Sequence, residues 1–252
     1  VNINMATQDR DKDGDPLLYE PRFPGMAIVR IGAPRAFHKV DNFTNDPNNY
    51  SRTVMLNTVD ITRPYIVEIF RVKANHSDPQ TRDYMLRSSS HHRSALNLFD
   101  SNGPLSTQQA ETGYSHFYNS EKASAAGNFT IDYQTIVPWP DEAALPQGWT
   151  YPENTGDTVN FPENQLIPFR STPTSWSTKP AIGTRHHVIG QPGMEVYKSE
   201  LPWLERISNS APIEDFINGE KIPHTMIRHV TSASQESLFV LVHELWAGAP
   251  AI

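Results

Sequence analysis

The sequence predicts an all-β protein, an antiparallel β-sandwich with long Pro-rich loops and little helix. Three observations lead there. The 252 residues hold twenty-one prolines against thirteen glycines. Pro is disfavoured inside helices and central strands, so short strands must be joined by long, ordered loops. Runs of β-branched and aromatic residues with period-two alternation recur along the chain. Helical periodicity is confined to residues 201–209 and 211–219, each enough for a turn or two.

The first element is the acidic stretch "DRDKDGDPLLYE", residues 9–20. It satisfies D-x-[DN]-x-[DN]-G-x5-E, with Asp9, Asp11, Asp13, Gly14 and Glu20 at the required offsets. Ca2+ takes six to eight oxygens, and a tight turn at Gly lets successive carboxylates converge. An EF-hand, a calcium loop of another kind and a solvated inter-strand turn all fit the pattern. The flanks favour the turn. "VNINMA" alternates like a strand, and "PRFPGMAIVRIGAP" carries prolines and a β-branched run where an EF-hand needs amphipathic helices. No cofactor is certain, and Asp9, Asp11, Asp13 and Glu20 are the candidate ligands of a structural Ca2+.

Strands follow in order. "MAIVRIGA" (residues 26–33) and "AFHKV" (36–40) precede "YSRTVMLNTV" (50–59), in which Val54 and Leu56 share one face and Thr53, Met55 and Asn57 the other. "YIVEIFRV" (65–72) pairs with it across a turn at Arg63-Pro64. "NFTIDYQTIV" (128–137), "TRHHVIG" (184–190), "GMEVYKSE" (193–200), "HTMIRHVT" (224–231) and "SLFVLVHELW" (237–246) complete the set. Between them, residues 137–180 are dense in Pro, Trp, Asn and Thr, too aromatic for a disordered linker. This stretch reads as an ordered excursion packed against a sheet, or as a platform for sugar rings built from Trp139, Trp149, Tyr151 and Trp176. One β-sandwich domain is expected to span residues 1–252 and to belong to a longer protein, since the chain opens without Met inside a strand-like run.

Composition excludes several function classes. Lys and Arg number 21 against 28 Asp and Glu, with no basic tract, so nucleic acid is not an expected partner. No run of eighteen apolar residues is present, which argues against a membrane span. Zero cysteines rule out disulfides and thiol chemistry. There is no G-x-S-x-G, Walker loop or HExxH to carry serine hydrolysis, nucleotide binding or metalloprotease activity.

Ten histidines invite a metal reading. Neighbours on a strand face opposite ways, so neither His91-His92 nor His186-His187 chelates one ion by itself. His243-Glu244, at the end of an apolar strand, reads as a buried hydrogen-bonded pair closing the core. Tyr65, Tyr84 and Tyr114 are the tyrosines that could act as a base, and their spacing selects none of them.

Four segments carry a resemblance: "YSRTVML" (50–56), "PYIVEIFRVKAN" (64–75), "RDYMLRS" (82–88) and "LFVLVHELWAGAPAI" (238–252). Their order and spacing resemble the sheet domain that follows the α/α-toroid in heparinase II/III-like polysaccharide lyases. That domain carries "YxRTVL", "PYVVDxFRVxGG", "HDYxLHG" and "FVxVHEP". The departures are Ala74-Asn75 for the Gly-Gly turn, and Arg82 and Arg87 for two histidines. The resemblance implies a supersandwich-like fold, secreted or periplasmic location, and β-elimination on an acidic, uronate-containing polysaccharide. The family's proton-abstracting Tyr and His and its carboxylate neutraliser come from the toroid and from an earlier part of the sheet domain. No position here matches them. The chain alone is therefore expected to be inactive, to lack a toroid partner, and to place its acidic opening loop at a hairpin between early strands. A non-catalytic glycan-binding or assembly module is the alternative.

Overall fold

The computed structural model describes residues 2–3, 14–33, 49–60, 63–73, 79–87, 94–135, 139–140, 176–177, 182–202, 221–232 and 235–247. These form seventeen strands: β1 (Asn2–Ile3), β2 (Asp15–Phe23), β3 (Met26–Gly32), β4 (Tyr50–Asn57), β5 (Tyr65–Lys73), β6 (Gln80–Arg87), β7 (Ser94–Asp100), β8 (Gly103–Pro104), β9 (Gln108–Gln109), β10 (Tyr118–Ser124), β11 (Phe129–Thr135), β12 (Trp139–Pro140), β13 (Trp176–Ser177), β14 (Ile182–Val188), β15 (Met194–Pro202), β16 (Lys221–Thr231) and β17 (Glu236–Ala247). No helix occurs among the described residues, so none is long and apolar enough to cross a membrane.

Two antiparallel sheets face each other, which bears out the predicted sandwich. The larger has nine strands in the order β2-β3-β4-β5-β17-β14-β11-β7-β8, and the smaller six in the order β1-β6-β16-β15-β10-β9. Period-two alternation sends one side of each central strand inward. From the large sheet come Phe70, Val72, Phe239, Leu241, Phe129 and Ile131, and from the small sheet Tyr84, Leu86, Val196, Met194 and Ile227, all buried. Tyr84 stacks on Phe239 across the layers, ring centroids 5.5 Å apart, and Tyr50 meets Phe70 edge-on at 4.9 Å.

The predicted strands at residues 26–33, 50–59, 65–72, 128–137, 184–190, 193–200, 224–231 and 237–246 are all present within a few residues. "AFHKV" lies outside the described residues. Two expectations need correction. β1 and β2 are not the two arms of a hairpin: β1 pairs with β6 in the small sheet and β2 with β3 in the large one. "DPLLYEPRF" is itself a strand, at the edge of its sheet, where Pro is tolerated. Its register shifts between Pro16 and Leu18 and again between Glu20 and Phe23, beside the prolines that cannot donate to a ladder. Further along, Leu201 does not begin a helical turn. It is buried in β15 and paired with Ile222, Pro202 ends the same strand opposite Lys221, and residues 203–209 and 211–219 lie outside the described residues. Of residues 137–180, β12 and β13 are described as a two-stranded ladder in which Trp139 faces Ser177 and Pro140 faces Trp176.

The chain crosses between layers through residues 125–128 and again through 189–193, and the two crossings touch. Ala125 N–H donates to the Met194 carbonyl at 2.9 Å. A Cβ on Gly190 would sit 2.0 Å from the Gly127 carbonyl oxygen and 2.3 Å from that of Ala125. Backbone cannot rotate away as a side chain can, so Gly190→Ala is expected to cost about 2–3 kcal/mol in urea denaturation. A loss under about 0.5 kcal/mol, the range of ordinary surface changes, would show that the crossing yields easily.

Candidate functional site

At the inner face of β4, β5 and β17, charged side chains interrupt the apolar alternation. Glu68 on β5 points into the sandwich, its side chain 5% exposed, and receives Arg52 from β4. Arg52 is bidentate: Nε lies 2.8 Å from Oε1 and Nη2 2.9 Å from Oε2. From the facing sheet, the Tyr84 hydroxyl donates to Oε1 at 2.7 Å. From β17, His243 Nε2 stands 3.3 Å from Oε2. Four strands thus deliver four polar groups to one point, and Arg52, half open to solvent, closes its mouth.

The cluster continues sideways. His243 faces His186 across the β14/β17 ladder, and their Nδ1 atoms are in hydrogen-bond contact. One ring must then be the neutral acceptor. Burial, followed by the neighbouring His243, lowers the pKa of His186 to about 3, so His186 is neutral at physiological pH. Tyr133 packs edge-on against His186 at 5.6 Å and donates its hydroxyl to Thr225 Oγ1 at 2.6 Å.

Electrostatics decides what this arrangement can do. Burial alone would raise Glu68, but His243, Arg52 and Tyr84 together hold its carboxyl at about 2. The Tyr84 hydroxyl is pushed strongly upward, first by burial and then by the Glu68 charge. Glu68 is a carboxylate whose oxygens are occupied, and Tyr84 is a phenol that keeps its proton. Neither is poised to abstract a substrate proton; together they lock β4, β5, β6 and β17 in register. Of the other candidate bases, Tyr114 donates to Asp83 at 2.8 Å, and the Tyr65 hydroxyl accepts from Asn57 at 3.0 Å on the surface.

His243 and Glu244 are not a pair with each other, contrary to expectation. They project from opposite faces of β17: His243 inward to Glu68 and His186, Glu244 outward, where its Oε2 lies 3.3 Å from His187. The same alternation separates His186 from His187, as predicted. Among the described residues no group of three or more His, Asp and Glu could hold a metal ion. Of the residues named for calcium, Glu20 lies in β2 opposite Ile28, while Asp9, Asp11 and Asp13 lie outside the described residues. So do Trp149, Tyr151 and His91-His92. Trp139 and Trp176 are described through their backbone ladder alone.

Spacing did not single out Arg52 or Glu68 as site residues. The signal was present: each is a lone charge at an inward position of an otherwise apolar strand, which demands partners from elsewhere.

No family model matches the chain, and none of the curated proteins does. Among solved structures, it is similar to a heparan sulfate lyase HepC mutant from Pedobacter heparinus, at 9% identity and a TM-score of 0.30, over 94% of this chain and 22% of that one.

Proposed function

We propose that this chain is the β-sheet portion of a polysaccharide lyase resembling heparinase II/III, serving β-elimination on a uronate-containing polysaccharide, with the main catalytic residues outside these 252. One observation carries the reading. The four segments whose order makes the resemblance each contribute one side chain to the same buried cluster: Arg52, Glu68, Tyr84 and His243. Segments far apart in sequence that converge on one point behave as one unit, as an inherited framework would. Elimination needs a base beside the acidic C–H and a neutraliser for the enolate, and Tyr65, Tyr84 and Tyr114 have their hydroxyls engaged. In this reading the protein is secreted or periplasmic, and Trp139, Trp149, Tyr151 and Trp176 form its contact with the polysaccharide.

The test is to incubate the isolated chain with alginate and with a glycosaminoglycan, following retention on immobilised polysaccharide and the ultraviolet band of unsaturated uronate. Retention without a rise in absorbance is expected. Trp149→Ala should weaken retention about three- to tenfold, the worth of one aromatic contact, and leave the melting temperature unchanged. A rise in absorbance would place the active site within this chain. Failure to retain any uronate polysaccharide would overturn the reading in favour of an assembly module.

A further inference from the structure

The outer face of the small sheet is not left to solvent. Residues 110–117 lie against it and are pinned by charge. Asp83, fully buried, takes Arg228 in a bidentate pair at 2.7 and 2.8 Å and the Tyr114 hydroxyl at 2.8 Å. Arg228 also donates to the Thr112 carbonyl at 2.9 Å, and Ala110 N–H to the Ser120 carbonyl at 3.0 Å. This segment borders a cleft of about 760 Å³, lined by Gln109, Glu111, Tyr114, Phe117, Asn119 and Ser120 among others.

The lining has a particular chemistry. Tyr114 and Phe117 stack at 4.9 Å, are half-buried and both line the cleft. Phe117 is backed by the buried His224 ring at 4.8 Å. Around the rings stand two exposed amides, Gln109 and Asn119, and the exposed carboxylate of Glu111. Asn119 has a φ of 49°, a left-handed conformation unusual outside glycine, and its Nδ2 donates to Glu200 at 2.6 Å. Among the described side chains the nearby cations on this face are committed, Arg228 to Asp83 and Lys122 to Glu195 at 2.7 Å.

Half-buried aromatic rings bordered by amides and a carboxylate suit a pyranose, whose C–H groups pack on aromatic surface while its hydroxyls exchange hydrogen bonds with polar neighbours. A sugar carrying its own carboxylate or sulfate would meet Glu111, and the Arg and Lys described on this face are already engaged elsewhere. We infer that this cleft is a binding subsite for an uncharged sugar residue, distinct from the Glu68 cluster and from any contact with uronate. The inference is independent of the lyase reading, since a glycan-binding module would use the same cleft.

The experiment is an NMR titration of the chain with cellobiose, with N-acetylglucosamine and with glucuronic acid, read on the Tyr114 and Phe117 ring resonances. Saturable shifts with at least one neutral probe are expected, with glucuronic acid several-fold weaker. Gln109→Ala should weaken the neutral probe about fivefold, the worth of one hydrogen bond. Asn119→Gly, which keeps the left-handed backbone while removing the amide, should do the same. Glu111→Gln should narrow the gap to glucuronic acid. Unchanged melting temperatures confirm that the variants are folded, and Gln109→Ala, at an exposed position, stands in if Asn119→Gly is not. The inference is overturned by an absence of saturable binding, by neutral-probe affinity indifferent to Gln109→Ala, or by glucuronic acid binding as tightly as the neutral probes.

Discussion

Glu68→Ala is expected to lower the unfolding free energy by about 3–5 kcal/mol at neutral pH, the cost of leaving buried partners of a charge uncompensated. The substitution strands the buried Tyr84 hydroxyl and removes the carboxylate beside His243. Arg52 loses less, because its side chain is 56% exposed and returns to water. Tyr84→Phe alone should cost about 1 kcal/mol, and the double variant should fall short of the sum, because both changes act on one bond. Urea denaturation of the three variants supplies the cycle. A Glu68→Ala loss below about 1 kcal/mol would mean that the cluster is a surface ion pair in disguise.

Acid should unfold this protein steeply, and the direction follows from two groups. The Glu68 carboxyl is lowered from 4.5 to about 2, so between those values the unfolded chain binds a proton that the folded one does not. Burial, with His243 next, takes His186 from 6.5 to about 3, with the same sign: the unfolded chain is protonated first. Stability is therefore complete above about pH 6.5 and falls as pH drops through 4.5 toward 2. Across these windows each group costs the fold about 1.4 kcal/mol for every step of one in pH. Together the two groups account for several kcal/mol across this range. The urea midpoint measured from neutral pH to pH 3 tests this. His186→Gln should flatten the slope nearer neutrality and Glu68→Gln the slope at the acid end. A wild-type midpoint that is flat across this range would contradict both assignments.

The strands of the core could be read in sequence because their alternation is strong. "YIVEIFRV" and "SLFVLVHELW" are each legible as strands, whereas their pairing, Val240 opposite Ile69 and Phe239 opposite Phe70, emerges from the structure. β2 was harder, because its two prolines and acidic approach carry turn chemistry, and only a place at the sheet edge makes them compatible with a ladder. The Glu68 cluster was half legible. Inward charges announce unmet demand, but which partners meet it depends on the facing layer, and nothing in "RDYMLRS" says that Tyr84 will cross the sandwich to reach residue 68. The cleft over the small sheet was not legible at all. It depends on Asp83 and Arg228, 145 positions apart, being brought opposite each other by the β6/β16 ladder.

The place of β17 bears on how the molecule is made. This strand, C-terminal to all its neighbours, lies between β5 and β14 near the middle of the large sheet. Until it has left the ribosome, β2 to β5 form one meander and β14, β11, β7 and β8 a second group, with no ladder joining the two among the described residues. Each half presents a long unpaired edge with its apolar face incompletely covered. Closing the sheet requires a partner about 165 residues downstream of β5, as the Arg71–Glu236 pair spans, a loop closure with a large entropic cost. Folding of such a topology is expected to be slow and late. The nascent chain is exposed to edge-to-edge association throughout that interval. Loss of the last twelve residues of ladder would leave two separate half-sheets rather than one trimmed sheet.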